Sequence, residues 1–156
     1  MTKIKKKPAV IFDIDSTLVN DDFQKALIPK DKHDRDGWDE CAKYYDTCTP
    51  NKPCVMLVKR FSDTHKIIFI TSREDRKNGR RDTEIELIKA IGEIDFILLM
   101  RPENDFSPSQ KVKKKLYKDH VKSKYNVLFA VDDDKKNIKM FVKQGITGLI
   151  YKEVKK

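Results

Sequence analysis

The segment Val10-Ile11-Phe12-Asp13-Ile14-Asp15-Ser16-Thr17-Leu18 sets two carboxylates and a threonine at the end of an apolar run. From Ala9 to Ile14 that run has the length and the β-branched and aromatic composition of a buried strand. Period-two geometry would put Asp13 and Asp15 on one face of an extended chain, where two like charges repel unless a cation or a proton separates them. Hard oxygen donors, with water and a phosphate completing an octahedron, suit magnesium. The stretch predicts a strand that ends at a metal site.

Runs of the same kind recur at Ile67 to Thr71, Ile94 to Met100, Asn126 to Val131 and Thr147 to Tyr151. Between them lie segments with helical spacing: Val55, Leu57, Val58 and Phe61; Ile85, Leu87, Ile88 and Ile91; Val112, Leu116 and His120; Ile138, Phe141 and Val142. Strand and helix alternate, which predicts an α/β fold with a parallel sheet of five strands flanked by helices on both faces. Val19 to Asn51 breaks the alternation: it is polar, carries Pro29 and Pro50, and has one expected helix around Trp38 to Tyr45. It reads as a small cap inserted after the first strand and covering the carboxyl ends of the sheet, where an open α/β sheet receives its ligand. An ordinary long connection is the alternative.

A chain of 156 residues, 38% hydrophobic and 38% charged, fits one compact domain spanning 1–156 with one site. Thirty-four Lys and Arg against 25 Asp and Glu give a formal charge of +9. That field favours anionic partners such as nucleic acid or phosphorylated ligands, although a lysine-rich background composition produces the same sum. Cys41, Cys48 and Cys54 form no Cys-x-x-Cys pair, which argues against a disulfide framework and a closed zinc site and for a reducing cytoplasm. His33, His65 and His120 lack metal-ligand spacing. The basic segment Met1 to Lys7 leads into an apolar run that Asp13 interrupts at once, so neither a signal peptide nor a membrane span is expected. No Gly-x-x-x-x-Gly-Lys-Ser/Thr occurs, which excludes a nucleotide-kinase P-loop.

A second acidic cluster, Asp132-Asp133-Asp134, follows the run Val127 to Val131. The carboxyl ends of parallel strands share one edge, so Asp132 and Asp133 can converge with Asp13 and Asp15 on a single cation. A third strand ends in Thr71-Ser72-Arg73, whose hydroxyls and guanidinium suit phosphate oxygens; helix capping is the plainer reading of Thr71 and Ser72. In the lysine run Lys111 to Lys122, a helix of roughly 100° per residue puts Lys113 on the arc of Val112, Leu116, Tyr117 and His120. There an ammonium needs an anionic partner. Lys111, Lys114, Lys115, Lys118 and Lys122 fall on the opposite side, as a solvated face or as a track for backbone phosphates.

Asp-x-Asp-x-Thr after one strand, Thr71 after another, an inward lysine and an Asp-Asp pair after a later strand, in that order, resemble the haloacid dehalogenase superfamily of phosphatases. Arg73-Glu74, Leu99 to Asp105, Val112-Lys113, Ala130 to Asp133 and Ile138 to Gly145 narrow the likeness to the 3'-phosphatase domain of phage-type polynucleotide kinases and its stand-alone relatives, without the kinase half. The resemblance implies a Rossmann-like fold, Mg2+, and DNA or RNA 3' ends as substrate in nucleic-acid repair. It implies that Asp13 attacks phosphorus to form an aspartyl-phosphate, with Asp15 first as acid and then as base. The implied metal ligands are Asp13, the backbone carbonyl of Asp15, and Asp132 or Asp133; Thr71, Ser72, Arg73 and Lys113 are the implied phosphate-binding group. Ser16 stands where the family usually has glycine, a change the chain accepts if no positive φ is needed there. Gln24 aligns with a substrate-side arginine, Ser107 and Ser109 with Arg and Asp, and Asp134 with a frequent arginine. Two other readings remain: a phosphatase for free nucleotides or another small phosphomonoester, and a basic nucleic-acid-binding module with a decayed site, against which the intact Asp13, Asp15, Lys113 and Asp132 argue.

Overall fold

In the computed structural model residues 5–154 are described; the start of the basic N-terminal segment, Met1 to Ile4, lies outside them. The elements run β1 (Lys7–Phe12), β2 (Val19–Asn20), α1 (Asp22–Lys25), α2 (Arg35–Ala42), β3 (Thr49–Pro50), α3 (Lys52–Ser62), β4 (Lys66–Glu74), α4 (Gly79–Ile91), β5 (Phe96–Arg101), α5 (Ser109–His120), β6 (Tyr125–Asp132), α6 (Lys135–Lys143) and β7 (Thr147–Ile150), with a short 3-10 turn at Tyr45–Thr47. Five strands form one parallel sheet in the order β5-β4-β1-β6-β7. The chain builds outward from β1 through β4 to β5, then crosses back to add β6 and β7 on the other side. The strand order therefore reverses at β1, and the carboxyl ends of β1, β4 and β6 meet at the switch point where such sheets bind ligands.

Alternation along β1 explains the two layers. Val10 and Phe12 join Ile67 and Phe69 of β4 in a core with Cys54, Val55 and Val58 of α3 and Leu87 and Ile91 of α4. Ala9 and Ile11 point the other way, with Ile68 and Ile70, against Val112, Leu116 and Tyr117 of α5 and Met140 and Phe141 of α6. Each fully buried Val, Ile or Phe in these layers contributes about 1.5–3 kcal/mol relative to exposure. The α/β sheet flanked by helices is the architecture expected from the sequence.

Several boundaries differ from expectation. β1 stops at Phe12 rather than Ile14, and β4 continues past Thr71 to Glu74, so Thr71 and Ser72 are strand residues and not helix caps. His120 is exposed although it falls on the inward arc of α5; it is the last helical residue, and buried Val121 takes over the contact. Leu57, Ile85, Ile88 and Val142 also face outward. The segment 19–51 holds more structure than one helix: α1, α2 and the antiparallel pair β2–β3, whose register sets Val19 against Pro50 and Asn20 against Thr49.

Candidate active site

Asp13 is the first residue beyond β1, and its N–H donates to the Val131 carbonyl at 2.9 Å, which ties it to the end of β6. Asp132, the last residue of β6, and Asp133 stand beside it: one carboxylate oxygen from each of Asp13, Asp132 and Asp133 lies within 4.8 Å of the others. Lys113 closes the group from α5, its Nζ donating to Asp13 Oδ1 at 2.6 Å and to Asp132 Oδ2 at 2.7 Å, with its side chain 2% exposed. Thr17 Oγ1 donates to Asp13 Oδ2 at 2.9 Å and accepts from the Asp133 N–H at 3.0 Å. The amide of Asn137, on α6, donates to both oxygens of Asp132.

Asp15 does not join that cluster. β1 has ended, period-two geometry no longer applies, and Ser16 takes a left-handed φ of 60°. The position does need a positive φ, then, and serine meets it at a cost of roughly 1–2 kcal/mol; its hydroxyl donates to Asp21 Oδ1 at 2.6 Å within the turn. The turn aims the Asp15 carboxylate at Arg73, whose Nη2 donates to Asp15 Oδ1 at 2.6 Å and whose Nε reaches both oxygens at 3.1 and 3.0 Å. Arg73 is buried, pairs also with Glu86 and stacks its guanidinium 3.8 Å above the Tyr45 ring. Its donors are thus directed at protein carboxylates rather than held free for phosphate, as the sequence had led one to expect.

Thr71 is fully buried and its Oγ1 accepts from the Arg73 N–H at 3.1 Å. Ser72, one residue on and so on the other face of β4, lies 2.5 Å from the Ser109 hydroxyl at the start of α5. Ser72, Ser107 and Ser109 line a cleft of about 730 Å3 together with Asp15, Arg73 and the cap residues Trp38 and Asp39. Arg101 fastens its floor, donating to the carbonyls of Ser72, Asp105 and Ser107 at 2.7–2.8 Å. Gln24 is buried inside the cap, its amide donating to the Cys41 carbonyl at 3.1 Å. The cap is clasped over the cleft by Arg35 to Glu74 at 2.5 Å and Asp39 to Arg76 at 2.6 Å.

Burial and the neighbouring Asp132 charge hold the Asp13 carboxyl well above the ordinary carboxylate range, despite Lys113. Asp133 is raised for the same two reasons. For Lys113, burial works to lower the pKa, but the Asp13 and Asp132 carboxylates outweigh it and keep the ammonium charged. Arg73 follows the same pattern, with Asp15 and Glu86 outweighing its burial. Two buried carboxylates, Asp13 and Asp132, an exposed third, Asp133, beside them and one ammonium form a donor set of hard oxygens short of positive charge, which fits a small divalent cation.

Glu86, Tyr45 and Asn137 were not singled out from the sequence. The arc argument that finds Lys113 would also have found Glu86, since Thr83, Glu86 and Leu87 share the buried side of α4. Tyr45 and Asn137 carry no comparable signal.

Residues 7–153 match the family described as the polynucleotide kinase PNKP phosphatase domain. Two solved chains from Pnkp1/Rnl/Hen1 assemblies, one described as an RNA repair complex, align with TM-score 0.74 and 27% identity. They cover 96% and 97% of this chain but 45% and 49% of their own length, so the chain spans about half of those proteins. The class C acid phosphatase from Bacillus anthracis has TM-score 0.60 and 17% identity over 86% of this chain and 54% of its own. A haloacid dehalogenase-like hydrolase from Streptococcus pneumoniae has TM-score 0.60 and 15% identity over 96% and 85%; at this identity both likenesses concern the fold. Comparison with curated proteins returns no significant match. A family match over nearly the full chain, joined to this sheet, makes the protein a phosphatase of the haloacid dehalogenase fold that belongs to the polynucleotide kinase PNKP phosphatase family.

Proposed function

We propose that the chain, as one domain with 19–51 as its cap, is a magnesium-dependent polynucleotide 3'-phosphatase of nucleic-acid end repair, working in a reducing cytoplasm. The observation that carries the reading is the meeting of Asp13, Asp132 and Asp133 within 4.8 Å around buried Lys113. Asp13, Asp132 and Asp133 would hold the cation by their carboxylates and Asp15 by its backbone carbonyl. Bound there, Mg2+ supplies the positive charge that lets a carboxylate approach a phosphate dianion.

The protein's own groups then divide the work. Asp13 attacks phosphorus and the bond to the leaving oxygen breaks, giving an aspartyl-phosphate. Lys113, charged and already beside Asp13, meets the developing charge on the phosphoryl oxygens. Ser72 lines the approach with its hydroxyl, and fully buried Thr71 supports that strand end from behind by accepting from the Arg73 N–H. Asp15 delivers a proton to the departing 3' oxygen and afterwards takes one from the hydrolytic water. Arg73 acts through Asp15: its fork fixes the carboxylate's direction, and Glu86 with Tyr45 fixes the fork. Three free cysteines accord with a reducing compartment, and among the described residues no helix is long and apolar enough to cross a membrane.

One observation favours a second reading. The 730 Å3 cleft under the cap has the size of a small-molecule pocket, and Gln24 offers it no positive charge. A free nucleotide or other small phosphomonoester would fit. Phosphate release from 3'-phosphorylated and 5'-phosphorylated oligonucleotides and from mononucleotides, with magnesium and with chelator, separates the two. The 3'-phosphorylated oligonucleotide should be the preferred substrate and chelator should stop the reaction; preference for mononucleotides would establish the second reading instead.

A further inference from the structure

Helices α5 and α6 pack side by side on one face of the sheet, and both begin at its carboxyl edge. Between them they carry nine lysines and one acidic residue, Asp119. On the opposite face α3 and α4 carry six basic residues and three acidic ones. The excess of positive charge is therefore directional, which a general lysine-rich composition does not explain.

Position sharpens the contrast. Lys113 alone of the nine is buried. On α5, Lys111, Lys114, Lys115 and Lys118 all lie on the exposed side, away from Val112, Leu116 and Tyr117. Lys135, Lys136, Lys139 and Lys143 are exposed likewise on α6, away from Ile138, Met140 and Phe141. Apart from Lys115, which pairs with Asp119 at 2.5 Å, these exposed lysines make no ion pair among the described residues. Like charges three and four residues apart on a helix cost about 0.2–0.5 kcal/mol per pair, and here they repeat: Lys111 with Lys114 and Lys115, Lys114 with Lys118, Lys135 with Lys139, Lys139 with Lys143. A polyanion laid along the face would relieve that repulsion.

The two rows also start at the site. Ser109, the first residue of α5, lines the cleft, and Lys111 follows two residues later. Asp134, which caps α6 by accepting from the Lys136 N–H at 2.7 Å, adjoins the carboxylate cluster. Successive lysines four apart rise about 6 Å along the axis, so positive charge continues from the rim of the cleft down the whole length of both helices.

We propose that the α5–α6 face is a track for the sugar-phosphate backbone of a single-stranded polynucleotide whose 3' end occupies the cleft. This rests on the polynucleotide reading above and extends it from the terminal phosphate to the strand behind it. Contacts of this kind fix position without reading sequence, so binding depends on salt and not on base order.

The test compares wild type with two triple variants, Lys111→Gln/Lys114→Gln/Lys118→Gln and Lys135→Gln/Lys136→Gln/Lys139→Gln, none of which touches the carboxylate cluster. Binding of an unphosphorylated single-stranded oligonucleotide is followed by fluorescence anisotropy across a salt series, and turnover is measured on a nucleoside 3'-phosphate and on a 3'-phosphorylated oligonucleotide. Each lysine that meets a phosphate should flatten the log affinity against log salt slope by about 0.7. Both variants should therefore bind the oligonucleotide more weakly at low salt, keep wild-type turnover on the nucleoside 3'-phosphate, and lose kcat/KM on the oligonucleotide. The Lys→Arg versions, which keep the charge, should behave as wild type; loss of binding in them would overturn the track. Unchanged affinity and slope in both Gln variants would overturn it too, as would tighter binding to anionic phosphatidylserine vesicles than to the oligonucleotide. The two readings fail separately: a wild type that binds the strand through these lysines but leaves its 3'-phosphate in place keeps the track and loses the activity, whereas full turnover untouched by the Gln variants does the reverse.

Discussion

Lys113 holds two buried carboxylates apart with one ammonium, and removing it should expose how much the site strains the fold. In Lys113→Met, Asp13 and Asp132 keep their burial and lose their partner, so urea unfolding should show a loss of about 3–5 kcal/mol. Adding Asp13→Asn to that variant should restore part of the loss, because one of the two unpaired charges is gone; a double variant no more stable than Lys113→Met would contradict the coupling. The same residue carries a pH signature. Burial and Asp132 raise the Asp13 pKa in the folded protein, so the folded state holds a proton that the unfolded chain gives up near pH ~3.9. Stability from this group is present below that pH and is lost as pH rises through the folded value. In chelator, Asp13→Asn should therefore melt at a higher temperature than wild type near neutral pH, with the gap closing toward pH ~3.9; a gap that is constant or reversed would refute the assignment. Lys113 was legible because a charged residue on an apolar helical arc must find a partner. The partner of Asp15 was not legible, because it depends on a left-handed turn at Ser16 that no spacing rule reveals.

At the scale of elements, strands and helices were readable wherever burial imposes a period, and boundaries were lost where function interrupts it. β4 runs on through polar Thr71, Ser72 and Arg73 because each has a partner in the site, so the apolar run understates the strand. In the cap only the helix expected around Trp38 to Tyr45, found as α2, is legible, because α1 is four residues long and β2 and β3 are two each, too short for any periodicity to register. Packing between β7 and α6 offers a test of how the second layer supports the site. A Cβ on Gly148 would lie 2.6 Å from Ile138 Cγ2 and 3.1 Å from Val142 Cγ2, and β-branched neighbours have little rotamer freedom to yield. Gly148→Ala should cost about 1–3 kcal/mol in thermal unfolding. It should also lower phosphatase activity, because α6 carries Asn137, which steadies Asp132; wild-type stability would show that α6 is not held against β7 as described.

Across the whole molecule, five parallel strands bring Asp13, Asp132 and Asp133 together from positions more than a hundred residues apart and leave them short of positive charge. A cation that binds this folded arrangement and not the unfolded chain must stabilise it by mass action. Millimolar magnesium should therefore raise the melting temperature of wild type and leave that of Asp132→Asn unchanged; an equal rise in both would place the ion elsewhere. The central claim is that the gathered carboxylates let Asp13 itself take the phosphoryl group. The most direct measurement is acid quenching of the enzyme during turnover of a 3'-phosphorylated oligonucleotide with magnesium, followed by peptide mass spectrometry. The account predicts a phosphoryl group on the peptide at Asp13 and none in Asp13→Asn, which should also lose turnover. Undiminished turnover in Asp13→Asn, or a phosphoryl group on a different residue, would contradict it.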